Sequence, residues 1–188
     1  MTSKIPIAAL AAGIVLFLWE SVAHMALPLG EAGIRTIANE APVMAAIKDN
    51  VKDDGLYFFP NPMMNATTPE ERKKGEQAML AGPSGLLVVH PNGDPGLTAG
   101  RLILQALFDV LSMAVAAVVL SRAVMLKGLG ARVCLVAALA LLPVLRTELP
   151  QWNWYGFPAI FTASNFVLHV IGFALGGLVL AKMIKPAV

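Results

Sequence analysis

Three apolar stretches of this sequence carry side chains that hydrocarbon does not solvate. In WESVAHM, Glu20 and His24 stand four residues apart near the end of a run that starts at Ile5. A second run carries Arg101, Gln105, Asp109, Ser112 and Ala116 at spacings of four, four, three and four, and a third carries Thr162, Asn165, His169, Gly172 and Gly176 at three, four, three and four. Such spacings put each set on one face of a helix. Ionisable and amide groups in apolar helices are costly in lipid and turn toward the bundle interior, so each face marks a helix contact. Counted inward from the ends of these runs at 1.5 Å per residue, Glu20, Asp109 and Asn165 lie at similar depths of about 10 to 12 Å, with His24 one turn shallower and His169 one turn deeper. The five side chains Glu20, His24, Asp109, Asn165 and His169 are therefore expected to form one polar cluster, with Arg101 and the pair Arg146 and Glu148 closing its mouth.

Three kinds of chemistry suit such a cluster. It can be a hydrogen-bonded, ion-paired knot that holds helices in register. It can be a transition-metal site, since ExxxH, a carboxylate and NxxxH supply enough O and N donors. It can also be an ion or proton path, or a quinone or haem pocket lined by His24 and His169. An offset of roughly 13 Å in depth between the two histidines counts against bis-histidine haem. No cofactor is specified by the sequence beyond that candidate metal.

Other chemistries find less support. No serine lies in a GxSxG elbow, and GPSG (82–85) reads as a turn. The glycines of KGLGAR and FALGGLV form no phosphate loop; the first is a turn and the second lets another helix approach. The lone cysteine, Cys134, excludes an intrachain disulfide and is expected as small core filler. Met63 and Met64, with His90, suit Cu(I), but HPNG is turn chemistry and paired methionines fill apolar gaps. No basic arm points to a nucleic-acid partner.

The elements that must position the cluster are membrane helices. Of 188 residues, 57% are hydrophobic and 14% charged, against roughly one half and one quarter in a soluble domain. Four segments, residues 5–27, 101–121, 132–149 and 157–181, are long enough to span a core of roughly 30 Å. The third carries Pro143, which predicts a kink or an interruption. A cleaved signal peptide is the competing reading of the first segment. Glu20 interrupts it, and a cut after Ala26 would put His24 at the −3 position where a small residue is needed, so a retained helix is expected.

Basic residues flank one end of the set: Lys4, then Arg122, Lys127 and Arg132 between the second and third segments, then Lys182 and Lys185. The positive-inside rule makes that side cytoplasmic, with both termini inside. Trp152, Trp154 and Tyr155 in the short outer connection suit the headgroup boundary. Residues 28–100 form the other outer connection and are expected to fold as a small α+β extracytoplasmic cap. Within it, residues 30–51 suit an amphipathic helix interrupted near Pro42. In TTPEERKKGEQAML, Thr68 is placed to cap a helix that Pro69 opens, with Glu70 and Glu71 at its positive end, stopping before Gly82. GLYFF and GLLVV suggest two paired strands, marginal without further packing.

FLWESVAHM and SNFVLHVIGF resemble short segments of small bacterial membrane proteins, a likeness that carries no activity and no site residue. The expected whole is an all-α integral membrane protein of a bacterial inner membrane, with four transmembrane helices and the cap. No transporter-type repeat is evident. The expected function is that of a structural or accessory subunit in a larger membrane complex, such as a respiratory or other electron-transfer assembly. Its partners would be the bilayer and other membrane subunits or copies of itself. The alternative is a stand-alone membrane protein with an intramembrane metal, proton or cofactor site at Glu20, His24, Asp109, Asn165 and His169.

Overall fold

The computed structural model describes residues 4–60 and 66–185. Its elements run α1 (Ile5–Met25), α2 (Glu40–Asn50), β1 (Gly55–Phe59), α3 (Pro69–Ala81), β2 (Gly85–Val89), α4 (Ala99–Arg122), α5 (Leu129–Leu139), α6 (Leu141–Pro143), a π-helical turn (Val144–Glu148), α7 (Leu149–Tyr155) and α8 (Ala159–Met183). Four helical stretches of 21, 24, 27 and 25 residues are long and apolar enough to cross a membrane: α1, α4, the run Leu129–Tyr155 and α8. The chain divides into two compact units, Met1–Ile34 with Leu97–Val188, and Arg35–Gly96.

The first unit is the helix bundle, in which α1 packs on α4 and α8, and α5 on α8. Its core is built from small residues, Ala8, Ala9, Ala12, Ala116 and Ala117, with Leu16, Met113, Leu120, Val136 and Leu180 filling between them. Lipid offers no hydrophobic drive for helix association, so close backbone approach has to supply the packing. A Cβ added at Gly13 would stand 2.5 Å from Val110 Cα, one at Gly172 would stand 2.6 Å from Leu16 Cδ1, and one at Gly177 would stand 2.9 Å from Val136 Cβ. The outward faces carry exposed Ile7, Leu10, Ile14, Leu18, Leu107, Leu111 and Val115, a surface suited to hydrocarbon.

The third spanning helix departs from expectation at both ends. It begins at Leu129, so Arg132 lies inside it and is 2% exposed, not in the connection. Its guanidinium donates to the carbonyl of Ile184, where α8 ends, and so caps the negative end of that helix. Beyond it, Pro143 has no N–H for the carbonyl of Leu139, and Leu139 is where α5 stops. The chain then tightens at Ala140, passes through α6 and widens into the π-turn, where the N–H of Leu149 bonds to Val144. Helical structure continues to Tyr155, so the expected outer connection shrinks to the stretch from Gly156 to Pro158, before α8. Cys134, expected in the core, lies exposed on α5.

In the second unit α2 starts later than the apolar pattern suggests. A proline fits only the first helical turn, whose N–H groups have no acceptor within the helix, so Pro42 fixes the start at Glu40 and leaves Ile34 and Ile37 outside. For α3, Thr68 Oγ1 accepts from the N–H of Glu71 while Glu71 Oε2 accepts from the N–H groups of Thr67 and Thr68, a reciprocal cap. Those bonds, that from the Thr67 backbone foremost, hold the exposed Glu71 carboxyl below the ordinary glutamate range. β1 and β2 pair antiparallel with Gly55 opposite Val89 and Phe59 opposite Gly85. The cross-strand neighbours Leu56 and Val88 are 68% and 72% exposed.

Candidate functional site

Glu20, Gln105, Asp109, Asn165 and His169 gather at the end where α1 finishes and α4 begins, in two groups. Gln105 on α4 makes the first group. Its Nε2 donates to Glu20 Oε2 at 3.0 Å and to Asp109 Oδ1 at 2.9 Å, so one amide joins a carboxylate on α1 to a carboxylate one turn further along α4. Asp109 is 3% exposed, and its Oδ2 has no hydrogen-bond partner among the described residues. The second group centres on Glu148. Asn165 Nδ2 donates to Glu148 Oε2 at 3.0 Å, and His169 Nε2 lies 3.8 Å from Glu148 Oε1.

Between the groups lies a cavity of about 670 Å³. Its walls are Phe17, Glu20, Ser21, His24 and Met25 of α1, Leu97, Leu102 and Gln105 at the start of α4, Glu148 of the π-turn, and Asn165, Leu168 and His169 of α8. Four of the five residues expected to cluster therefore line one cavity, and the fifth, Asp109, is tied to it through Gln105. They do not form one ligand set. Among the described residues no three His, Cys, Asp or Glu side chains come together as a metal site.

Each wall is held in place by bonds that the helices make with one another. Trp19 Nε1 donates to the carbonyl of Leu168 at 2.9 Å, tying α1 to α8 beside the cavity. Ser164 Oγ donates to the carbonyl of Leu29 at 2.6 Å and fastens the chain leaving α1. Gly30 lies against the imidazole of His24: a Cβ there would collide with His24 Nδ1, so the missing side chain leaves room for the ring.

Two assignments change. Glu148, expected with Arg146 at the mouth, is part of the wall, its side chain 12% exposed. Helical structure continues seven residues past it to Tyr155, and the extra residue of the π-turn shifts the facing so that Glu148 meets Asn165 while Arg146 is exposed. Arg101 is not among the lining residues. Trp152, Trp154 and Tyr155 lie exposed on α7. An apolar groove of about 510 Å³ runs between Leu141, Val144, Leu149 and Trp152 on one side and Thr162 and Phe166 on the other.

In the second unit His90 Nδ1 lies 3.0 Å from Asp54 Oδ2, and its Nε2 lies 3.8 Å from Asp94 Oδ2. The two carboxylates sit on opposite edges of the ring, a turn-fixing arrangement and not a chelate. Met63 and Met64 lie outside the described residues.

No family model, curated protein or solved structure matches the chain.

Proposed function

We propose that the chain is an integral membrane protein of a bacterial inner membrane whose working part is the polar cavity in its helix bundle, a site for a small bound molecule. In this reading both termini are cytoplasmic, residues 28–100 are outside, and Trp152, Trp154 and Tyr155 lie at the outer headgroup boundary. The observation that carries the reading is the convergence of Glu20, His24, Gln105, Glu148, Asn165 and His169 on one cavity of about 670 Å³. A knot that only locked helices would be packed shut, because unfilled space beside polar groups in a bundle forfeits contacts on every wall. Cavities of 300 to 1,000 Å³ with a few convergent polar groups are the usual form of a small-molecule site. A resident metal is less favoured, because the donors divide into two groups.

A second reading, a structural or accessory subunit of a larger complex such as a respiratory or other electron-transfer assembly, rests on the second unit. The exposed pair Leu56 and Val88 gives its two-stranded sheet an uncovered apolar face, and two strands are marginal alone.

One preparation separates the two. Gentle extraction from the source membrane, followed by native mass spectrometry, an absorption spectrum and elemental analysis, is done for the wild type and for Glu148→Gln. The cavity reading expects a bound non-protein mass that is lost in Glu148→Gln; the subunit reading expects stoichiometric co-purifying chains in both. A monodisperse, folded chain carrying nothing contradicts both.

A further inference from the structure

The lining of the cavity sets two carboxyl groups beside the imidazoles of His24 and His169. Glu20 and Glu148 face it from α1 and the π-turn, and no lysine or arginine is among its lining residues. Each carboxylate commits one oxygen to an amide, Glu20 Oε2 to Gln105 and Glu148 Oε2 to Asn165. Glu20 Oε1 lies outside that amide bond, and Glu148 Oε1 lies 3.8 Å from His169 Nε2. Behind Gln105, the buried Asp109 adds a third carboxylate, with Oδ2 unpartnered. One amide cannot neutralise the two carboxyl groups it bridges, so in a low-dielectric interior their negative charge has to be answered by a proton or by a bound cation.

Resting on the cavity reading above, we infer that the occupant is an organic cation, an ammonium group carried on an apolar body. The uncommitted oxygens of Glu20 and Glu148 accept the ammonium N–H groups as charge-assisted hydrogen bonds. Phe17, Met25, Leu97, Leu102 and Leu168 receive the apolar part. A bare inorganic ion would leave most of the cavity empty, an anion would meet two carboxyl groups, and a neutral molecule would forgo the charge-assisted hydrogen bonds that two carboxylates offer.

The test uses the full chain in lipid nanodiscs and isothermal titration with three probes of one shape: benzylammonium, benzyl alcohol and benzoate, with empty nanodiscs as the reference for partitioning. Saturable binding of benzylammonium alone is expected, weakened about tenfold or more in Glu20→Gln and in Glu148→Gln. Leu102→Trp, which fills the cavity with both carboxylates present, removes the binding and guards against a substitution that merely misfolds the bundle. If benzyl alcohol or benzoate binds as well as the cation, and Leu102→Trp removes it, the cation assignment is overturned while the cavity reading stands. Benzylammonium binding that survives both Glu→Gln changes and Leu102→Trp overturns the assignment. If none of the three probes binds, the assignment is again overturned, and the extraction experiment then decides the cavity reading on its own.

Discussion

Gln105 is the residue on which the charge arrangement of the bundle turns, since its one amide group serves both Glu20 and Asp109. Gln105→Leu leaves those carboxylates without that donor, and a loss of about 1 to 3 kcal/mol is expected in reversible unfolding from mixed micelles. Adding Asp109→Asn to that variant removes one of the two charges and should recover part of the loss. An additive double variant would show that the two carboxylates do not interact through Gln105. Gly30→Ala makes a separate point: the new methyl group collides with His24, the far end of a side chain that can turn away. The expected result is a bundle of unchanged stability in which the His24 ring resonances shift. Glu20, Asp109, Asn165 and His169 were legible in the sequence because a polar residue in an apolar helix announces itself. The bridging role of Gln105 was not, since an amide on a polar stripe does not reveal which carboxylates it will join.

Among the elements, α1 and α4 are held together by the absence of a side chain. Gly13→Ala places a methyl group against the Val110 backbone, which cannot turn aside, and should cost about 1 to 3 kcal/mol in the same unfolding measurement. A neutral effect would mean that the helices do not cross there. In the second unit, α3 carries a pH-sensitive cap. The folded-state value of Glu71 lies below the ordinary 4.5, so its contribution is fully present above that value and is lost as the pH falls from there through its own lower value. Amide protection in the first turn of α3, taken relative to the unstructured exchange rate at each pH, should therefore be constant down to about the ordinary glutamate value and fall below it, while Glu71→Gln should be less protected throughout with no such step. Thr68, Pro69 and Glu71 made this helix legible, as Gly and Pro boundaries did the two strands, because caps and turns are local chemistry. The third spanning helix was misjudged because Pro143 marks where one hydrogen bond is lost without saying that a π-turn will carry the helix onward. Arg132 was misplaced for a related reason: a cation near a loop looks solvated until the end of α8 is known to lie against it.

For the whole molecule, composition alone made the four spanning helices legible, while the topology across the membrane depends on the basic residues. In a Cys134→Ala background, an impermeant maleimide applied to intact cells should label a cysteine at Glu76 and reach one at Met125 only after lysis. The reverse pattern would invert the orientation. A folded unit within residues 28–100 was legible from the length of that connection and its cap and turn signals, and the compact unit is Arg35–Gly96; a pocket was one of three readings of the polar cluster and could not be told from a packed knot, because empty space is a property of how helices cross and no residue type encodes it. α1, α4 and α8 share one cavity that a small solute can reach. It is tested most directly by reacting Ser21→Cys and His169→Cys, each in the Cys134→Ala background in nanodiscs, with a small water-soluble methanethiosulfonate. Both should react, and adding Leu102→Trp, on a third helix, should suppress both together. Cysteines that are inert, or a tryptophan that protects one and leaves the other as fast as before, would contradict a shared cavity.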